Sequence, residues 1–297
     1  MLTVETSAGA IEYEDAGSRD PQAPVLVFGH GLFMDGRQWR RVVPLLEADH
    51  RCILPTLPLG AHRVAMRRHA DLSLIGQARI VAEILENLGL HDVTLVCNDW
   101  SGGQVMVSQG LTERVGRLVF ASCEAFDNYP PGLAGKVAAY SSKIPGATFP
   151  IINGLRLRPL RRLPMTFGWL SKQPVPDALM DDWLRPAMTR GAIRRDLRKY
   201  AGDTRNGRRA LMAATDDLPS FTKPVLVVWA TEDRLMPLEH GRRLAGSFPD
   251  ARLVEVEDSY TLISEDQPER LAAELRAFVS ARACGERPSA APSPAAS

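Results

Sequence analysis

The chain has 297 residues, of which 45% are hydrophobic and 24% are charged, a composition ordinary for a globular protein. The net charge of +1 gives no case for nucleic-acid binding, and no apolar run reaches the roughly 18–20 residues of a membrane helix. The first residues lack the basic and apolar regions of a signal peptide, and the four cysteines lack metal-ligand spacing. We therefore expect a cytoplasmic protein without a disulfide scaffold or membrane partner.

The small net charge conceals an uneven distribution. Residues 129–209 hold 16 Lys or Arg, five Asp and no Glu, so this stretch carries +11 and the remainder −10. A stretch this basic is either a set of solvated helix faces or a surface that attracts anions. Both interpretations stay open, and the second favours an anionic small-molecule substrate.

Short apolar strands alternate with helical patterns along most of the chain. An edge hairpin is expected near 3–4 and 11–14, followed by strands at 25–28, 51–55, 93–97, 118–120, 224–229 and 252–256. Apolar residues recur at helical spacing over 76–89 and 269–279. Near-continuous apolar strands between helices predict an α/β fold, with a mostly parallel sheet of about eight strands covered on both faces.

The alternation stops in the middle of the chain. Residues 129–212 are rich in Pro and Arg and show only short helical patterns, which predicts an inserted helical cap. The core then comprises two parts, 1–128 and 213–284. Residues 285–297 are mainly Gly, Pro, Ala and Ser and are expected to form a disordered tail, because they cannot bury enough surface to become ordered.

The sharpest local signal is the segment Leu95-Val96-Cys97-Asn98-Asp99-Trp100-Ser101-Gly102-Gly103. A buried strand that passes through small residues into a helix is typical of a nucleophile elbow, where the reactive side chain sits on a strained turn. The strand length places Asp99 at the tip. Ser101 is the rival nucleophile, and capping of the next helix is the non-catalytic alternative for Asp99. A carboxylate nucleophile attacks an alkyl carbon and forms an ester.

These patterns resemble those of α/β-hydrolase-fold enzymes with an aspartate nucleophile, namely haloalkane and fluoroacetate dehalogenases and epoxide hydrolases. The resemblance covers the chain to about residue 282. Its pieces are His30-Gly31 with Trp39, the elbow, residues 230–237 and residues 265–269. It implies an α/β-hydrolase fold and a hydrolase of small, partly apolar epoxides or halides. No metal or cofactor is implied, because the chain has no phosphate loop, dinucleotide glycine pattern or ligand cluster.

The loop after the 25–28 strand is the second part of the expected site. In this fold it donates one backbone N–H to an oxyanion hole, and the residue after the nucleophile donates the other. The expected donors are therefore Leu32 and Trp100. Phe33, in the same loop, is a candidate substrate contact, whereas His30 is expected only to hold the loop.

The resemblance also implies an acid and a histidine that complete a triad with the nucleophile. Asp233 matches the acid, and Glu124 is a second candidate for it. The histidine position, counted back from the last helix, falls on Thr261. Of the six histidines, only His62 lies on a loop that follows a strand and could overlook the elbow, so it is the candidate replacement.

The missing histidine leaves several functions open. In related chemistry it is the general base that directs water at the ester, a contribution of typically 10²–10⁴-fold. Another group supplies the base, or Asp99 itself works as a base or an electrostatic anchor. The alternative class is a pseudo-hydrolase, either a ligand-binding protein or a non-hydrolytic lyase or cyclase that uses the same cavity.

Aromatic residues near the site are candidate substrate contacts. The indole N–H of Trp100 could donate to a leaving halide, and Trp169 and Trp183 could give a second halide contact. Tyr140 and Tyr200 could protonate an opening epoxide oxygen. Packing is the alternative for the four cap residues, and the sequence leaves the substrate and the oligomeric state open.

Overall fold

A computed structural model describes residues 1–280 except 101, 145 and 165. Eight strands form one sheet in the order β1-β2-β4-β3-β5-β6-β7-β8. The pairs β1/β2 and β2/β4 are antiparallel, and the other neighbours are parallel. The strands are β1 (Leu2–Thr6), β2 (Gly9–Gly17), β3 (Val25–Phe28), β4 (Arg51–Pro55), β5 (Val93–Asp99), β6 (Val115–Cys123), β7 (Val225–Ala230) and β8 (Ala251–Val256).

Helices cover both faces of this sheet, which confirms the α/β-hydrolase fold predicted from the sequence. Six of them, α4 to α9, lie between β6 and β7, and we call this segment the helical insertion. The helices are α1 (Val43–Leu46), α2 (Leu74–Asn87), α3 (Gly102–Ser108), α4 (Gly132–Lys143), α5 (Thr148–Gly154), α6 (Arg158–Arg161), α7 (Asp177–Thr189), α8 (Gly191–Gly202), α9 (Thr204–Asp217), α10 (Leu238–Gly246), α11 (Ile263–Asp266) and α12 (Pro268–Ser280). The expected tail, 285–297, lies outside the described residues.

The central strands are largely apolar and buried on both faces because each face meets a layer of helices. Along β5, Leu95 packs into one apolar cluster and Val96 into the other, and Val119 and Phe120 divide in the same way along β6. Buried on both faces, these parallel strands end at a common edge, which the helical insertion covers. That edge is where an open α/β sheet places its ligand site.

None of the helices in the described part of the chain has the length and hydropathy of a membrane span. Among the same residues, no group of three or more His, Cys, Asp or Glu side chains is arranged to hold a metal ion.

Candidate active site

Strand β5 ends in a strained turn at Asp99. The φ of Asp99 is +62°, in the left-handed region that residues other than glycine seldom adopt. The N–H of Trp100 donates to the carbonyl oxygen of Asn98 at 2.6 Å, which closes the turn around Asp99. The side chain of Asn98 supports the turn from below, because its Nδ2 donates to the carbonyl of Thr261 at 2.7 Å. This is the geometry of a nucleophile elbow, with Asp99 at its tip. The rival Ser101 lies outside the described residues.

The loop after β3 approaches the carboxyl group of Asp99 closely. The N–H of Leu32 donates to Oδ2 of Asp99 at 3.2 Å, as expected of an oxyanion-hole donor beside the reactive group. Gly31 is required here, since a Cβ at this position would lie 2.3 Å from the same oxygen. The backbone N–H of Trp100, the other expected donor, is engaged by Asn98, so the structure corrects that expectation.

The indole of Trp100 presents a different donor. Its ring packs over Gly102 and Gly29, where any Cβ would collide with it. Its Nε1 is buried and has no hydrogen-bond partner among the described residues. An unpaired buried N–H is costly and therefore uncommon, so this group is free to bind an electronegative atom of a ligand.

A cavity of about 440 Å³ lies above Asp99, between the sheet edge and the helical insertion. Its walls are largely aliphatic and aromatic, and Leu32, Phe33 and Trp100 belong to them. Burial raises the pKa of Asp99 to about 6, and the hydrogen bond from the Leu32 N–H opposes that rise only in part. The site therefore holds a poorly solvated carboxyl group in an apolar space suited to a small hydrophobic molecule.

Asp233 follows β7 and meets the predicted histidine position. Its Oδ1 accepts hydrogen bonds from the N–H groups of Leu235 and Met236, both at 2.9 Å, and from the hydroxyl of Thr261 at 2.8 Å. Burial raises its pKa to about 6 despite these bonds. Thr261 is fully buried and does not line the cavity. A hydroxyl thus occupies the place where the resemblance implies an imidazole.

His62 does not replace that imidazole. Its Nε2 lies 3.5 Å from Oδ2 of Asp196, and its Nδ1 accepts from the N–H of Gly60 at 3.3 Å. The ring is buried against the insertion and is not part of the cavity wall. The candidate role of His62 is therefore wrong, because its loop turns the ring toward α8 and away from the elbow. His30 holds its loop as expected, since its Nε2 accepts from the N–H of Leu57.

Three of the candidate aromatic contacts lie away from the cavity. Tyr140 is 68% exposed on the outer face of α4. Trp183 is fully buried, and its Nε1 donates to Oδ1 of Asp35 at 2.8 Å. Trp169 packs beside the guanidinium of Arg234. The structure corrects these three expectations: α4 turns Tyr140 outward, α7 turns Trp183 toward Asp35, and Trp169 lies in a turn between α6 and α7.

Two tyrosines do reach the cavity, and sequence reasoning missed one of them. Tyr200 enters from α8, whereas Tyr129 follows β6 and was not considered. Their hydroxyl groups are hydrogen-bonded to each other. Glu124, the second candidate acid, also lines the cavity, and its N–H donates to the carbonyl oxygen of Asp99 at 3.1 Å. The position of Tyr129 just after a strand end was the available signal.

An eight-stranded, mostly parallel sheet with a strained elbow after its central strand and a helical insertion over the site defines the α/β-hydrolase class. The chain belongs to the alpha/beta hydrolase family, whose profile matches residues 26–274.

Individual relatives are distant but extend over most of the chain. The Uncharacterized hydrolase YugF of Bacillus subtilis is 25% identical over 280 residues, covering 88% of this chain and 92% of its own. Haloalkane dehalogenase 2 of Mycobacterium tuberculosis is 24% identical over 275 residues, covering 91% and 92%. The structure of haloalkane dehalogenase DbeA from Bradyrhizobium elkani superposes with a TM-score of 0.74 at 19% identity, covering 94% and 96%, and so supports the fold.

Proposed function

We propose that this chain is a hydrolase in which Asp99 is the nucleophile toward small apolar molecules that carry a halide or an epoxide. The observation that carries the proposal is the Asp99 carboxyl group itself. It stands on a strained turn at the base of an apolar cavity, within 3.2 Å of the Leu32 N–H. A serine at this position would attack a carbonyl, whereas a carboxylate is suited to displacement at an alkyl carbon.

The first chemical step follows from this arrangement. An Oδ atom of Asp99 attacks the alkyl carbon, the bond from that carbon to halogen or epoxide oxygen breaks, and an ester forms on Asp99. Weak solvation by the apolar walls leaves the carboxylate reactive once it has lost its proton. The unpaired Nε1–H of Trp100 supplies a donor for the departing halide. That donor, together with the similarity to haloalkane dehalogenases, favours a halide over an epoxide.

A second candidate function is supported by the pKa of Asp99. A carboxyl group with a pKa of about 6 is close to the range in which a general base works best near neutral pH. With Thr261 at the histidine position, Asp99 could remove a proton from a bound substrate in a lyase or cyclase reaction. Such a reaction leaves no ester on the protein, and this distinguishes the two candidates.

Intact-protein mass spectrometry tests the proposal directly. The wild-type chain is incubated with short haloalkanes and epoxides, and halide release and protein mass are followed together. We expect either turnover or an added alkyl mass that maps to the peptide containing Asp99. The control is Asp99→Asn, which keeps the shape but loses the nucleophile, and should show neither. Unchanged activity in Asp99→Asn would refute the assignment and would direct attention to Ser101→Ala.

The same variant separates loss of function from loss of folding. Burial raises the pKa of Asp99 from 3.8 to about 6, so the folded state disfavours the charged carboxylate. The resulting penalty is absent below pH 4, grows as the pH rises to 6 and is complete above it, reaching up to about 3 kcal/mol. At pH 7 to 8 Asp99→Asn should therefore melt no lower than the wild type. A lower melting temperature at that pH would contradict the burial argument.

A further inference from the structure

We propose that Glu124 is the general base that directs water at the Asp99 ester, in place of the absent histidine. This inference rests on the proposed function and names a second catalytic residue within the same cavity. It is carried by the position of Glu124 beside Asp99 and by the chemistry of the other side chains around it.

Glu124 stands next to the nucleophile on the neighbouring strand. It follows directly after β6, and its N–H donates to the carbonyl oxygen of Asp99 at 3.1 Å. Its own carbonyl oxygen accepts from Nε2 of Gln104 at 2.7 Å, which fixes its backbone from the other side. The residue is 7% exposed and lines the same cavity as Asp99. A firmly held backbone gives the side chain a defined approach to a molecule bound on Asp99.

The described cavity wall offers few other groups that exchange protons. It contains four ionisable side chains, and no His, Lys or Arg is among them. Besides Asp99 and Glu124 these are Tyr129 and Tyr200, whose pKa values burial raises well above the ordinary range. A phenol of that kind can donate a proton but cannot accept one near neutral pH. Glu124 is thus the second carboxyl group of the described cavity wall, and we assign to it the proton of the attacking water.

The side chains at the other two expected triad positions and of His62 lie outside this cavity wall. Asp233 is buried, and its Oδ1 accepts three hydrogen bonds, one of them from Thr261. His62 contacts Asp196 beside α8. None of these three side chains is part of the described cavity wall.

Charge interactions indicate that Glu124, the two tyrosines and Asp99 lie close together around the same cavity. After burial, the charge of Glu124 is the next largest cause of the raised pKa of both Tyr129 and Tyr200, and the charge of Asp99 adds to it at Tyr200. Formation of the ester removes the charge of Asp99. Glu124 is then the carboxyl group of the described cavity wall that is left to accept a hydrogen bond from water.

Hydrolysis of the Asp99 ester takes place in two stages. A water oxygen attacks Cγ of Asp99 while Glu124 takes one water proton, and the Leu32 N–H donates to the oxyanion that develops. The bond from Cγ to the alkyl oxygen then breaks, and Glu124 returns its proton to the departing alkoxide. The products are an alcohol and the Asp99 carboxylic acid, which loses its proton to solvent above pH 6.

Glu124→Gln, with Glu124→Asp as the conservative variant, tests the role. We expect Glu124→Gln to form the Asp99 ester at near the wild-type rate but to hydrolyse it 10²–10⁴-fold more slowly, so that the alkyl adduct accumulates. Glu124→Asp keeps a carboxylate and should recover part of the hydrolysis rate. In H₂¹⁸O, wild-type hydrolysis should place ¹⁸O in Asp99. Melting curves are recorded for both variants to check that they are folded.

The pH dependence of ester hydrolysis adds a readout that a structural role would not move. Asp99 cannot titrate while esterified, so the fall in wild-type hydrolysis at low pH reports the base. That base is Glu124, faced by Tyr129 and Tyr200 with Cys123 beside it. In Glu124→Gln this fall in the hydrolysis rate at low pH should disappear.

Each result decides the proposal. A wild-type adduct that persists as long as that of Glu124→Gln, or a Glu124→Gln variant that hydrolyses at the wild-type rate, overturns the role of Glu124 and leaves the nucleophile intact. Absence of any adduct or turnover dependent on Asp99 overturns the proposed function, and the role of Glu124 falls with it. If Glu124→Gln does not fold, the rate of ester hydrolysis and its pH dependence are measured on Glu124→Asp instead. A pH profile identical to that of the wild type would contradict the proposal.

Discussion

The hydroxyl of Thr261 donates a 2.8 Å hydrogen bond to Oδ1 of Asp233, and the two residues come from loops after the neighbouring strands β8 and β7. This contact joins the position expected for a catalytic acid to the position expected for a histidine. A buried carboxyl group needs such partners to offset its lost hydration. In this chain the hydroxyl of Thr261 and the N–H groups of Leu235 and Met236 hold Asp233 at the junction of the two loops.

Restoring the imidazole should restore a base. In Thr261→His the new side chain lies between Asp233 and the elbow, and we expect hydrolysis of the Asp99 ester to accelerate, by at most about 10²–10⁴-fold. The clearest background is Glu124→Gln, in which the ester should accumulate. Decay of the adduct mass measures the rate. Thr261→Gln, which adds comparable bulk without a base, is the control, and equal decay in both variants would show that the ring does not reach the ester.

Gly31 should be essential for the reactivity of Asp99. A methyl group in Gly31→Ala would meet Oδ2 of Asp99 at 2.3 Å, so the carboxyl group or the loop must move. We expect alkylation of Asp99 to fall by at least about tenfold, because the Leu32 N–H is displaced with the loop. Gly191→Ala is the matched control, since its new Cβ makes only ordinary contact at 3.6 Å. Equal alkylation rates in the two variants would contradict the close approach.

The rate of ester formation should depend on pH through Asp99. Burial raises its pKa to about 6, and only the deprotonated form is a nucleophile. The single-turnover alkylation rate should therefore rise about tenfold for each pH unit below 6 and level off above 7. Rapid-quench measurement of protein mass gives this profile. A rate already level at pH 4.5 would mean that Asp99 is better solvated than the cavity indicates.

The basic stretch predicts a response to salt. On α8, Arg198 donates to the carbonyl of Ser142 at 3.1 Å and Lys199 to that of Ala70 at 2.7 Å, so neutral backbone oxygens hold both cations. These charges should attract anionic substrates. The alkylation rate with a carboxylate-bearing haloalkane should fall between low salt and about 0.2 M, where the screening length reaches about 8 Å. A neutral haloalkane is the control, and equal responses of the two substrates would assign the charge to solvation alone.

The sequence by itself determined the fold and the place of Asp99 at the end of a central strand. Apolar strands that are buried on both faces require a sheet between two layers of helices. One of these strands ends at Asp99, and this places Asp99 at the turn. The sequence also placed Thr261, seven residues before the start of α12, at the position where the resemblance implies a histidine.

The tertiary structure alone decided which side chains surround Asp99. Tyr129 and Tyr200 are 71 residues apart in the chain and meet only because α8 and the segment after β6 line the same cavity. Helical periodicity does not reveal which neighbour a helix face meets, so it could not show that Trp183 of α7 bonds Asp35 instead of lining the cavity. The pairing of His62 with Asp196 likewise depends on a loop that meets α8 far along the chain. Local patterns specify elements and their ends, whereas the composition of a cavity depends on which elements pack together.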